Sequence, residues 1–144
     1  MKRLGTRLAK FSALPWPERR MLLAAMAWLP LFWLGLRCFG LQRLQAWLQR
    51  PSTASAGSLT KAEIVRMGAL INSAAGWGPI PATCLTRSLL LGWLLQRRGV
   101  TSQLRIGVRL VQGTLAAHAW VEYEGVPIND QQDVGAQFAA FKTP

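Results

Sequence analysis

Three residues of this 144-residue chain have types and positions that chemistry would choose. Cys84 follows Pro81-Ala-Thr and precedes residues 85–96, a strong helix-forming run, so its thiol opens a helix. The positive end of the helix dipole stabilises a thiolate there, the form that attacks. His118, the only histidine, stands mid-strand after two alanines, whose small size leaves room for another element to approach its ring. Asp130 lies twelve residues further on, at the end of the next strand. Antiparallel strands joined by a tight turn bring such positions side by side. A cysteine, a base and an orienting carboxylate follow the logic of cysteine acyl transfer.

Taken singly, each residue has a plainer reading. A free cysteine is often a small buried hydrophobe. A lone strand histidine is commonly a satisfied core residue, and an aspartate after Asn129 serves turn geometry. Together, at a helix start, a strand and a strand end, they point to one site. Glu122, on the His118 face, and Asp133 are rivals for the orienting role. Asp130 is preferred, because two positions along one strand is a poor distance for a Glu–His contact. Cys38 reads as structural and Trp120 as packing, while Arg87, Arg105 and Arg109 read as solvated faces. The Cys84 N–H is the natural first oxyanion donor. The second stays open: residues 77–83 should supply or position it, and no glutamine stands just before Cys84 as in papain-type enzymes.

These residues need elements to hold them. Thr60-Lys-Ala-Glu63 is a capping box that starts a helix, with Ile64, Met67, Ile71 and Ala74 as its buried stripe. Gly76-Trp-Gly-Pro-Ile-Pro81 stops that helix and forms a loop before Cys84. The Cys84 helix ends at Arg97-Arg98-Gly99, where cations and glycine suit a C-terminus. The period then becomes two. Leu104, Ile106, Val108 and Leu110 alternate with polar and small residues, Gln112-Gly113 turns, and residues 115–123 form a second strand. Its two faces are Ala117, Ala119, Val121, Tyr123 and His118, Trp120, Glu122. Glu124-Gly125 turns again into a short strand over residues 126–129, placed at a sheet edge by Pro127. Residues after Asp130 are weakly patterned. The expected fold is α+β, a catalytic helix on a small antiparallel sheet, within a core spanning residues 59–144.

The N-terminal fifty residues differ in kind. They hold nine of the 17 basic residues and one of the six acids. Residues 12–18 read as a helix entrance with Pro17 at the first position. Helix runs to about Pro30, expected to be a kink, and resumes over residues 31–49. Residues 21–36 carry no charge, but sixteen positions fall short of the ~20 a spanning helix needs. Two readings stand for this stretch: a buried or partner-covered helical hairpin, or a short membrane-dipping anchor through residues 21–41 with a basic rim. No secretory cleavage site follows it, and Arg37 before Cys38 spoils a lipoprotein signal, so a cytoplasmic location is expected, membrane-associated in the second reading. Residues 51–58 read as a small-residue linker to the core.

Composition closes other doors. With 51% hydrophobic and 16% charged residues the chain is globular. Two cysteines in unlike surroundings make no disulfide framework. One histidine, six acids and no CxxC or HxxxH give no metal site, and no phosphate-binding glycine loop indicates a cofactor. The +11 net charge attracts polyanions generally, but no groove-entering or stacking element argues for nucleic acid.

Pro81-Ala-Thr-Cys84-Leu-Thr-Arg-Ser-Leu-Leu-Leu, Arg97-Arg-Gly99, Leu104-Arg-Ile-Gly-Val-Arg109, Ala117-His118-Ala-Trp-Val-Glu122 and Asn129-Asp130, in that order, resemble the lasso peptide B proteins. These are transglutaminase-like cysteine proteases that remove the leader from a lasso precursor peptide. The resemblance covers about residues 60–130, and the apolar, basic N-terminus resembles the standalone leader-peptidase form. It implies Cys84 as nucleophile, His118 as general base then acid, and Asp130 as orienter. It further implies a precursor-peptide substrate with a threonine near the leader's end. Residues 1–50 are too apolar and too few for the winged-helix recognition domain of fused relatives, so a separate leader-recognition protein is expected, with a separate ATP-using cyclase. The apolar hairpin is where one of them could dock. Two other classes remain: a non-catalytic membrane-associated scaffold, and an acyltransferase or transglutaminase using the same triad.

Overall fold

The computed structural model describes residues 2–49 and 57–141. Residues 51–56 of the expected linker lie outside them. The order is α1 (Lys2–Ala13), α2 (Trp16–Leu48), α3 (Lys61–Trp77), α4 (Cys84–Arg97), β1 (Gln103–Val111), β2 (Thr114–Tyr123), β3 (Val126–Pro127), α5 (Val134–Gln137) and β4 (Ala139–Ala140). The strands form one antiparallel sheet in the order β3-β2-β1-β4, and helices pack on it. The fold is α+β, as the sequence pattern predicts.

The core lies between α2, α3, α4 and one face of the sheet. Leu22, Ala25, Leu29 and Phe32 of α2 meet Ile64, Met67 and Ile71 of α3, Leu90, Leu91 and Leu95 of α4, and Val121 of β2. The N-terminal helix therefore shares the core with the helix that carries Cys84. Glu18 fastens α2 to α3 by accepting from Arg66 Nε at 3.0 Å and Nη2 at 2.7 Å.

The local signals work as chemistry requires. Thr60 Oγ1 accepts from the Glu63 N–H at 3.3 Å, and Glu63 Oε2 accepts from the Thr60 N–H at 2.7 Å, closing the capping box. Both hairpin turns put two residues at positive φ: Gln112 and Gly113 at 49° and 79°, Glu124 and Gly125 at 51° and 76°. That backbone twist matches right-handed strands. Pro127 does lie on an edge strand, β3, where no further strand asks for its missing N–H.

Four expectations are corrected. The break in α2 falls at Gly40 (φ 76°, ψ 169°), while Pro30 sits inside continuous helix. Proline's own φ is helical, whereas only glycine reaches that backbone cheaply. The turn folds the chain back enough to set the Phe39 and Trp47 rings 5.8 Å apart, eight residues along. Pro17 is the second helical residue, since α2 begins at Trp16. The third strand stops at Pro127, and although the Ile128 N–H still donates to the Val121 carbonyl at 3.0 Å, Asn129 and Asp130 make other bonds. The weakly patterned tail forms α5 and β4, and β4 pairs with β1 as Gly107↔Ala140 and Val108↔Ala139.

Candidate active site

Cys84 is the first residue of α4. Thr83 caps the helix: its Oγ1 accepts from the Thr86 N–H at 3.2 Å, and its carbonyl accepts from the Arg87 N–H at 3.1 Å. Among the described residues no acceptor is taken up by the Cys84 and Leu85 N–H groups, which lie ahead of the first intrahelical bond. Backbone N–H groups left over at a helix start are the kind of donor that can hold an oxyanion. The thiol is half-buried.

His118 lies in β2, opposite Gly107 of β1. Its Nε2 is 2.5 Å from Asp130 Oδ2. A carboxylate only accepts, so Nε2 carries the hydrogen and Nδ1 is the basic nitrogen of the neutral ring. Asp130 is held from its other side, where Oδ1 accepts from the Gln131 N–H at 2.8 Å. The ring is walled by Phe138, with centroids 5.0 Å apart, and by Trp120 at 6.3 Å. Gly107 makes room for that wall: a Cβ there would lie 2.9 Å from Phe138 Cβ and 3.0 Å from Trp120 Cη2.

The predicted residues divide as follows. The structure joins His118 and Asp130. Cys84 makes no hydrogen bond to His118 among the described residues, and it is tied to the pair through a neighbour. Ser88, one turn along α4 on the same face as Cys84, donates to the Ala119 carbonyl at 3.1 Å, the peptide next to His118. Asn129 donates to Ser88 Oγ at 3.0 Å and accepts from the Val121 N–H at 2.8 Å. Asn72 of α3 donates to the Asn129 carbonyl at 2.9 Å. One buried polar bridge thus connects the helix of Cys84, the strand of His118 and the segment leading to Asp130.

Both rivals for the orienting role are occupied elsewhere. Glu122 accepts from Arg105 Nε at 2.9 Å and from Trp120 Nε1 at 3.0 Å, and Asp133 accepts from Gln137 Nε2 at 2.8 Å. The arginines are not simply solvated. Arg105 is in that ion pair, Arg109 lies 4.6 Å over the Phe138 ring, and Arg87 reaches Asn72 Oδ1 at 3.3 Å. A groove beside Asp130 is lined by Val65, Asn72, Arg87, Asn129 and Gln131. Among the described residues the buried Nε of Arg87 has no hydrogen-bond partner.

Sequence reasoning missed Ser88, Asn129, Gly107 and Phe138. Ser88 was findable, as a polar residue one turn from Cys84 and just before three leucines facing the core. Phe138 was not, because no periodicity marks the tail. Among the described residues no group of three metal-ligating side chains clusters.

A helix beginning at a cysteine, packed on an antiparallel sheet whose second strand carries a histidine bonded to an aspartate, is a transglutaminase-like arrangement. Residues 26–143 match the transglutaminase-like superfamily. The chain belongs to that superfamily, whose members are usually cysteine hydrolases or transferases. No curated protein and no solved structure matches the chain. The matched region begins within α2, in keeping with that helix's place in the core.

Proposed function

We propose that this protein is a cysteine endopeptidase that removes the leader from a ribosomally made lasso precursor peptide. The observation that carries the reading is the His118–Asp130 pair, bonded through Nε2, beside the helix that starts with Cys84. The motif order resembling lasso peptide B proteins supplies the substrate class.

In the proposed reaction Nδ1 of His118 takes the Cys84 thiol proton, and Sγ attacks the carbonyl at the leader's end. The N–H groups of Cys84 and Leu85 receive the oxyanion. His118 returns the proton to the leaving amine, and the core peptide departs with a free N-terminus. Asp130 holds the ring by Nε2–H and stabilises the imidazolium. Water, deprotonated by His118, then hydrolyses the thioester and frees the leader. The His118 and Asp130 side chains are 23% and 25% exposed, so water has access to the pair for the hydrolytic step.

Working partners in this reading are a separate leader-recognition protein and a cyclase. The test is mass spectrometry of the precursor peptide incubated with this protein and the recognition protein. The expected result is one cut, lost in Cys84→Ala and His118→Ala and slowed in Asp130→Asn. A cross-linked or amidated product supports the transferase instead. An uncut precursor with folded, partner-bound wild type supports the non-catalytic scaffold.

A further inference from the structure

The exposed side chains of α2 are not scattered. Leu23, Leu31 and Leu34 are each 51–56% exposed and recur at helical spacing, and Trp28, 39% exposed, borders them with its ring 4.9 Å from that of Trp93. The intervening exposed positions, Ala24 and Ala27, are apolar too. The opposite face, with Leu22, Ala25, Leu29 and Phe32, is buried in the core. The helix is thus apolar all round, with one side satisfied and the other facing outward. Exposed arginines close the stripe at both ends, Arg20 before it and Arg37 after it.

We infer that this stripe lies on an anionic phospholipid membrane, in its plane. Charge complementarity favours lipid over a protein partner. Residues 1–50 carry nine cations, and their one acid, Glu18, is already paired with Arg66. From Leu23 to Leu34 the outward face presents no polar side chain, whereas protein interfaces carry about one hydrogen bond per 100–200 Å². By length and composition α2 could cross a membrane. Crossing would strip Leu22, Ala25, Leu29 and Phe32 from the core they share with α3 and α4. Lying flat needs only the free face, with Leu23, Leu31 and Leu34 at the acyl boundary and arginines reaching headgroups.

The test is flotation of the full-length protein with phosphatidylcholine vesicles, with and without phosphatidylglycerol, at low and high salt. Flotation separates lipid binding from aggregation, since aggregates stay at the bottom. The expected result is that wild type rises with the phosphatidylglycerol vesicles and that high salt weakens this. Leu31→Glu/Leu34→Glu should bind at least about tenfold more weakly with an unchanged melting temperature, because both side chains are exposed in the free protein. Arg20→Gln/Arg37→Gln should show a weaker preference for anionic lipid. Wild type remaining at the bottom with both vesicles overturns the inference. So does equal flotation of the double-glutamate variant, or a stripe shielded from hydrogen exchange by the recognition protein and not by vesicles.

Discussion

Asp130 does not position His118 alone, because Asn129 is fixed first. Its side chain spans Ser88 and the Val121 N–H, and its carbonyl takes Asn72, so the next residue can present a carboxylate to Nε2 only from one place. Asn129→Leu would leave the Ser88 hydroxyl and the Val121 N–H without this partner in a buried setting, at about 1–3 kcal/mol each. Ser88→Ala is milder and leaves the helix intact. Both variants should slow peptide cleavage, by up to about 10²-fold for a displacement near 1 Å. The rate of Cys84 alkylation by iodoacetamide, read beside thermal melting, separates this from simple loss of fold. A base acting on the thiol should make wild type react faster than His118→Ala, with Ser88→Ala between them while it still melts cooperatively. Equal rates in wild type and His118→Ala would count against the triad itself. The His118–Asp130 pairing was legible in the sequence, because histidine and aspartate have few competitors of their kinds here. The bridge beneath them was not, since serine and asparagine have many uses and only the packing selects one.

At the scale of elements, two glycines decide how closely layers approach. A Cβ on Gly68 of α3 would lie 2.5 Å from the Ile128 carbonyl oxygen and 3.3 Å from Asn129 Cα. Those are backbone atoms, so the segment carrying Asp130 must shift. Gly68→Ala should cost about 1–3 kcal/mol by overpacking and lower cleavage as well, read by thermal melting beside the peptide assay. Gly107→Ala should act likewise through Phe138 and Trp120. The Glu18–Arg66 pair joins α2 to α3, and its pH response has a definite sign. Hydrogen bonds from Arg66 hold the Glu18 carboxyl below its usual 4.5. A carboxyl with a lowered folded pKa stabilises the protein above its unfolded value, and the contribution is lost as pH falls through the folded value. Glu18→Gln should therefore melt somewhat lower than wild type near neutral pH, and the gap should close well below pH 4.5. The pair is partly exposed, so the gap is small. Periodicity revealed α3, α4, β1 and β2, and the turn dipeptides revealed both hairpins. It misplaced the break in α2 because Pro30 is the stronger sequence signal, while the helix continues through Pro30 with Leu29 and Phe32 beside it in the core. Gly40 is an ordinary glycine until its positive φ is seen.

For the whole molecule, the sequence divides more sharply than the structure does. Composition separates residues 1–50 from the rest, yet Leu22, Ala25, Leu29, Phe32 and Leu44 lie in one core with the helix of Cys84. Fully burying each large side chain among these contributes about 1.5–3 kcal/mol. Four such residues together amount to about 6–12 kcal/mol, comparable to the ~5–15 kcal/mol net stability of a whole domain. Two truncations should therefore behave differently. Removing residues 1–13 takes away α1, whose described side chains from residue 5 onward are exposed apart from the half-buried Phe11. That variant should fold, with a melting temperature within a few degrees of wild type, and should cleave the precursor. Removing residues 1–50 uncovers Ile64, Met67, Ile71, Leu90 and Leu91 together, and that variant should be aggregated or molten by near-ultraviolet circular dichroism, with no cleavage. If the shorter piece instead melts cooperatively and cuts the peptide, α2 is an appendage to a self-sufficient core, and the catalytic unit begins at α3. If it does not, the apolar helix has two separable roles to test: its inner face completes the folded core, and its outer face stays free for the proposed membrane contact. A single substitution on either face should then disturb one job and spare the other.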